Sequence, residues 1–332
     1  MTTASPPLLS RVASSVYWMS RYIERAENVA RFVDVNLHLT LDMPSGAARQ
    51  WQPLIDTSGD SADYAARYGA ATQESVIEFL TFDEKNPNSI MSCVRAAREN
   101  ARTVRDTISS EMWEQANKLY LMMLNALAAE RSDKPNELFK RFRMECHLFQ
   151  GITDSTMSHN EAWNFIRAAR KMERADKTTR ILDVKYYMLL PSVRVVGTPI
   201  DDIHWAAVLK SVSGFEMYRK RFGRLSPPRI VEFLLLDPEF PRAVRYCLRL
   251  ADESVRAVTG TPQGAYRNEA EQLLSQLRAE IDYSPVEQIM AGGLHEFVDT
   301  FQVKLNRIGA KIHETFFAIR PLEQQQQSAA GY

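Results

Sequence analysis

Apolar residues near the start of the chain recur at helical spacing. Met19, Tyr22, Ile23, Ala26, Val29, Ala30, Val33 and Leu37 form one broad stripe at the i, i+3, i+4, i+7 positions of a core-facing helix. The pattern predicts a long first helix from Ser10 to Leu41, stopped by Pro44 and Gly46. Asp83 to Asn88 then reads as a turn carrying Pro87, and Asp237 to Phe240 with Pro241 repeats that punctuation. Helical patterns cover Ser89 to Ile108, Ser109 to Ala129 and Glu137 to Gly151. A last one runs from Pro285 to Arg320, broken near Gly292 and Gly293 and ended by Pro321. No alternating strand pattern of any length occurs, so the expected class is all-α, a bundle of about a dozen helices.

The chain also resembles itself. Residues 76–104, VIEFLTFDEKNPNSIMSCVRAARENARTV, align without a gap with residues 230–258, IVEFLLLDPEFPRAVRYCLRLADESVRAV, at an offset of 154 with 11 of 29 positions identical. The same offset pairs Trp51 with Trp205 and Tyr64 with Tyr218. Earlier, RYIERAENVARFVDV (21–35) aligns with RKMERADKTTRILDV (170–184) at an offset of 149. Two collinear blocks in the same order predict an internally duplicated bundle in which the halves are related by a pseudo-twofold. The expected units are residues 8–155 and 156–321, packed as one domain, with the polar LEQQQQSAAGY end at 322–332 as a tail.

Composition narrows the class. Glycine, 13 of 332 residues, is about half of average usage, which disfavours turn-rich β architectures. The 41 Lys and Arg balance 41 Asp and Glu, so the electrostatic drive toward nucleic acid is absent at the level of the whole chain. The apolar runs, such as Phe233 to Leu236, are far shorter than a membrane span, and the first residues carry no basic-then-apolar leader pattern. Cys93, Cys146 and Cys247 are odd in number and form no CxxC, as suits a reducing compartment; a cytoplasmic protein is expected.

Charge is patterned where the halves agree. The string R-x-x-E-R-A-[ED]-x-x-x-R-x-x-D runs from Arg21 to Asp34 and again from Arg170 to Asp183. A solvated face would account for it, with Glu27–Arg31 and Arg21–Glu24 as weak i, i+4 and i, i+3 pairs. Both copies keep charge at Arg21, Glu24, Arg25, Arg31 and Asp34, or their counterparts, while neighbours change. That favours either a buried reciprocal lattice, Glu24 against Arg174 and Glu173 against Arg25, or a ligand site lined by both motifs. Arginine suits both, because its planar fork grips carboxylates in two places. In the site reading Glu24 and Glu173 are the candidate catalytic acid and base, and Arg21, Arg25, Arg31, Arg170, Arg174 and Arg180 hold a carboxylate-bearing substrate.

Other chemistry finds little support. The chain has neither GxxxxGK[ST] nor GxGxxG, no HExxH, and no Glu three residues before a His, so no nucleotide, metal or other cofactor is expected. Asp201-x-x-His204 follows Pro199, where an aspartate caps a helix start more readily than it holds a metal. Cys93 and Cys247 occupy equivalent positions on apolar faces and read as core. Cys146 and His147, as helix neighbours, diverge by about 100° and make a poor dyad. Trp51, Trp205 and Trp113 are expected in the core.

SRYIERAENVARFVD, ARENARTVRDTISSEMWEQAN and FPRAVRYCLRLADES together resemble the alpha-E family, bacterial all-helical proteins named for the Glu-Arg pair, across nearly the whole chain. The motif residues correspond to Glu24 and Arg25, with Glu173 and Arg174 as the second copy. Such proteins are encoded beside a circularly permuted ATP-grasp ligase, a transglutaminase-like peptidase and sometimes a proteasome-related hydrolase. The resemblance therefore implies an accessory role in making or modifying peptide amide bonds, with the ligase as partner and the peptidase as a second one. An enzyme of peptide-bond chemistry built on the paired Glu-Arg motifs is the alternative, and a purely structural oligomerising bundle a third reading.

Overall fold

The computed structural model describes residues 8–42, 51–129, 135–189 and 199–318, with side chains described through 39 and 183 at the ends of the two longest helices. The expected stops at Pro44, Gly46 and Pro321 and the tail at 322–332 lie outside the described residues. Fifteen α-helices and no strand occur among the described residues, somewhat more helices than expected, because several connecting stretches form short helices.

In chain order these are α1 (Ser10–Asp42), α2 (Gln52–Ser58), α3 (Ser61–Tyr68), α4 (Gln73–Thr81), α5 (Ile90–Thr103), α6 (Ser110–Ala128), α7 (Pro135–Thr156) and α8 (Glu161–Leu189). Then follow α9 (Pro199–Ser211), α10 (Phe215–Phe222), α11 (Pro227–Leu236), α12 (Val244–Thr259), α13 (Glu269–Asp282), α14 (Val286–Gly292) and α15 (Leu294–Ile312), closed by a π-helical turn at His313–Phe317. Starts follow local chemistry: Ser89, Ser109 and Asn268 each accept a backbone N–H of the following first turn through the side chain.

Two boundaries differ from the sequence pattern. Helix α5 ends at Thr103, after which Val104 and Thr107 donate to carbonyls three residues back and turn the chain into the Ser109 cap. Helix α7 runs past Gly151 to Thr156. A Cβ at Gly151 would meet nothing within 4 Å, so this glycine costs about 1 kcal/mol of propensity, which the burial of Phe149 and Thr153 on either side outweighs.

Helices α1 and α8 form the centre. Contacts rise together along both, from Leu8 N–H on Glu161, through Ser20 on the Ile166 carbonyl, to Arg174 on Glu24, so the two helices run side by side in the same direction. Helices α5, α7 and α9 pack around α1; α2, α12 and α15 pack around α8. Enclosed in this way, both helices bury their apolar stripes and much of their polar faces.

Residues 154 apart make like contacts. Tyr64 meets Phe79 edge-on at 5.1 Å, and Tyr218 meets Phe233 at 5.7 Å. Arg67 pairs with Asp83, and Arg221 with Asp237. Cys93 Sγ donates to the Pro87 carbonyl and Cys247 Sγ to that of Pro241. All three cysteines are buried, as are Trp51 and Trp205. Trp113 departs from expectation: it is only partly buried at the α6–α7 surface, where Arg98 and Arg105 stack on it, its polar edge being more easily satisfied there than in the core.

Candidate functional site

The two Glu-Arg motifs meet at the α1–α8 contact. Arg174 donates from Nε to Glu24 Oε1 at 2.7 Å and from Nη2 to Oε2 at 2.8 Å. In return Arg25 donates from Nε to Glu173 Oε1 at 2.7 Å and from Nη2 to Oε2 at 3.2 Å. This is the reciprocal lattice, each glutamate gripped by the other helix's arginine. Arg21 adds a second guanidinium to Glu173, its Nη2 2.6 Å from Oε2. It does not pair with Glu24.

Other groups complete the network. Glu24 accepts from Asn28 Nδ2 at 3.0 Å and Gln150 Nε2 at 3.1 Å. Arg242, from the turn before α12, donates to Asn28 Oδ1 at 3.0 Å and to both Glu27 oxygens at 2.9 and 2.7 Å. Arg31 pairs with Glu27 on its own helix, and Arg180 with Asp176 at 3.0 Å at the equivalent place on α8. Arg180 also donates to the Thr57 carbonyl at 3.2 Å. Arg170 stands apart: its nearest carboxylate is Asp154 at 3.5 Å, and its buried Nε has no partner.

Burial decides between the readings of the motif. Glu24 and Glu173 are 1% and 0% exposed, and Glu27, Asn28, Arg31 and Arg174 are buried too, so a solvated face is ruled out. Burial alone would push the Glu24 carboxyl up, but the Arg174 guanidinium, with its hydrogen bonds, and Arg242 hold it below the ordinary carboxylate range. Glu173 is held well below that range against the same burial by Arg25 and Arg21. A proton-transfer pair needs one carboxyl protonated near neutral pH, set by environments that pull the two pKa values apart. Here both are driven the same way and surrounded by donors, so the geometry serves a structural clamp better than the catalytic roles expected for Glu24 and Glu173.

An opening lies beside the clamp. Arg25, Lys177, Arg180, Asn88 and Asp60 line a cavity of about 50 Å³ together with the apolar Val29, Phe32, Leu54 and Ile181, and Asn88 Nδ2 donates to Asp60 at 3.0 Å. The three cationic side chains remain 17–23% exposed. Of the six expected substrate-binding arginines, this brings Arg25 and Arg180 to one place. Arg25 reaches it while gripping Glu173 and donating from Nη1 to Asn88 Oδ1 at 2.8 Å, and Arg180 and Lys177 do so while paired with Asp176. Arg21 and Arg174 serve the clamp alone, Arg31 pairs with Glu27, and Arg170 keeps its separate position.

Sequence reasoning missed Arg242, Gln150, Lys177 and Asn88. Arg242 stands in the FPRAVRYCLRLADES motif, and Asn88 occupies the equivalent place 154 residues earlier, so a signal existed for both. Lys177 follows the acidic residue of the second motif; Gln150 carries no local signal. Asp201 and His204 are buried in α9, and no group of three or more His, Cys, Asp or Glu side chains suited to a metal ion occurs among the described residues. No helix among those residues is long and apolar enough to cross a membrane.

The Alpha-E family model, described as a predicted alpha-helical domain with a conserved ER motif, matches residues 8–317. An uncharacterized protein of Mycobacterium bovis is 25% identical over 312 residues, covering 86% of this chain and 34% of its own length. Two uncharacterized proteins of Mycobacterium tuberculosis match over the same shares at 25% and 24% identity. The chain thus spans about a third of the length of the curated relatives it matches. No solved structure matches it.

Proposed function

This chain belongs to the Alpha-E family, and from that premise we propose that it is a duplicated, cytoplasmic accessory protein that holds a carboxylate-bearing peptide for a partner ATP-grasp type amide ligase. The Glu-Arg clamp is its internal brace. The cavity beside that brace is its binding site. The observation that carries this reading is the gathering of Arg25, Lys177 and Arg180 at one opening with apolar side chains, where Asp60 also lies, accepting from Asn88 Nδ2 at 3.0 Å. Guanidinium and ammonium groups at a partly dry surface receive a carboxylate, Asp60 suits an ammonium group on the same ligand, and the apolar lining takes an apolar side chain. About 50 Å³ admits roughly one carboxylate-sized group, so the rest of the peptide would lie outside.

The like contacts at a spacing of 154 residues support the duplication, and the ligase partner comes from the family resemblance. Two measurements test the proposal. Calorimetric titration with short apolar peptides should show binding to a free C-terminal carboxylate and about tenfold weaker binding to the C-terminal amide or to an Arg180→Ala variant, the loss expected for one charge-assisted contact. Equal binding of acid and amide would overturn the site. Co-expression with a circularly permuted ATP-grasp ligase should yield a co-purifying complex; its absence would overturn the partnership.

A further inference from the structure

The cavity beside the clamp has a filled counterpart. In the ungapped alignment of residues 76–104 with 230–258, Asn88 corresponds to Arg242; in that of the two Glu-Arg motifs, Lys177 corresponds to Asn28, Asp176 to Glu27 and Arg180 to Arg31. Around Glu27 the chain itself occupies the place. Arg242, 5% exposed, donates from Nη1 to Asn28 Oδ1 at 3.0 Å and from Nη2 to both Glu27 oxygens at 2.9 and 2.7 Å. Its backbone is pinned to α8, where Thr178 Oγ1 donates to the Arg242 carbonyl at 2.8 Å.

Around Asp176 no such side chain arrives. Asn88 is much shorter than arginine, and nearer groups engage its amide: Oδ1 accepts from Arg25 Nη1 at 2.8 Å, and Nδ2 donates to Asp60 at 3.0 Å. The cavity of about 50 Å³ bounded by Asn88, Lys177 and Arg180 therefore falls where the counterpart holds a guanidinium. Asp176 shows the difference. Its Oδ2 meets Lys177 Nζ and Arg180 Nε, both at 3.0 Å, while its buried Oδ1 has no hydrogen-bond partner.

Charge follows the same exchange. Where Arg242 fills the place, the α1 side chain that meets it is the neutral Asn28; where Asn88 leaves it open, the corresponding α8 side chain is Lys177. The cation has moved from the plug to the wall. A place filled by its own guanidinium has no room for a ligand, whereas an open one walled by Lys177, Arg25 and Arg180 receives a small planar anion.

We propose that Asn88 and Lys177 together determine the specificity of the carboxylate site, Asn88 keeping the place open and Lys177 supplying in its wall the charge that Arg242 brings to the counterpart as a plug. With Arg242 closing that counterpart, one carboxylate binds per chain. This rests on the reading of the cavity as the carboxylate site.

The test installs the pair found around Glu27, singly and together, and follows urea unfolding and calorimetric titration with a short apolar peptide bearing a free C-terminal carboxylate. Lys177→Asn takes an ammonium from Asp176 and Glu173 and should lower the parent's unfolding midpoint. In the Asn88→Arg background the new guanidinium takes over Asp176, so the same change should lower the midpoint by less than about half as much. Equal losses in both backgrounds would overturn the plug. Should Asn88→Arg alone not fold, a folded double variant counts as the rescue and an unfolded one as the refutation. The unfolding comparison needs no ligand, so it stands apart from the carboxylate reading, which falls by itself if the parent binds no peptide. For a parent that binds, Lys177→Asn should weaken binding about tenfold with the place still open, and the double variant should show no measurable binding. Parent-like affinity in the folded double variant would overturn the role of the pair.

Discussion

Glu24 and Arg174 are 150 residues apart in the chain and joined by two parallel hydrogen bonds of 2.7 and 2.8 Å at the buried centre of the fold. Removing one partner of such a pair leaves the other's charge stranded out of water, at a cost of about 3–5 kcal/mol. Glu24→Gln should therefore lower stability by that amount, read from urea unfolding midpoints. Glu173→Gln should do the same, since Arg21 and Arg25 would lose their carboxylate. Glu99→Gln, at an exposed pair, should change stability by less than about 0.5 kcal/mol. Parent-like midpoints for the first two variants would show that the clamp does not hold α1 and α8 together.

The buried carboxylates should make the protein sensitive to strong acid. Glu24, Glu27, Glu173 and Asp176 all titrate lower in the fold than in the unfolded chain, so their stabilisation is complete above the ordinary carboxylate pKa near 4.5 and is lost as pH falls below it. His295 acts with the opposite sign. Its hydrogen bond to Asp183 raises its pKa, so it stabilises below about 6.5 and ceases to as pH rises through the folded value. Melting temperature should thus drop below pH 4.5, and the difference in melting temperature between the parent and His295→Gln, which isolates the His295 contribution, should shrink as pH rises from 6 to 8. A difference that grows over that range would contradict the assignment.

Gly214 is required for space. A Cβ there would lie 3.0 Å from Phe240 and 3.1 Å from Phe233, whose rings stack on each other at 4.4 Å. Gly214→Ala should cost about 1–3 kcal/mol by overpacking. Gly151→Ala, with nothing within 4 Å, should stabilise α7 by up to about 1 kcal/mol. Calorimetric melting of both variants checks the contrast, and equal effects would count against the packing around Gly214.

The thiols should be silent in the native state. Burial pushes Cys93 up to about 12 and raises Cys146 and Cys247 as well. At pH 8 an aromatic disulfide reagent should react with none of them within minutes and with all three in denaturant. Prompt reaction of Cys146 in the native protein would show that α7 opens locally.

Much of this was legible in the chain. Helix periodicity locates α1, α6 and the Gly292–Gly293 break, and agreement between the two motifs singles out Glu24, Arg25, Glu173 and Arg174. Arg242 was harder. It lies outside both motifs and reaches Glu27 only because the turn before α12 folds over α1, a relation no local spacing encodes. Asn88 became a site residue for the same reason, whereas Lys177 lies inside the second motif and becomes one because α1 and α2 bring Arg25 and Thr57 beside it.

The sequence by itself determined the all-α class, the apolar stripe of α1, and which charges the two Glu-Arg motifs share. Only the tertiary structure decided that the charged face of α1 is as buried as its apolar stripe. Side-chain periodicity shows how one helix divides its surface, whereas burial depends on how many other helices cover it. With α8 and its neighbours packed around α1, Glu24 and Glu173 leave water and must find their partners in each other's helix.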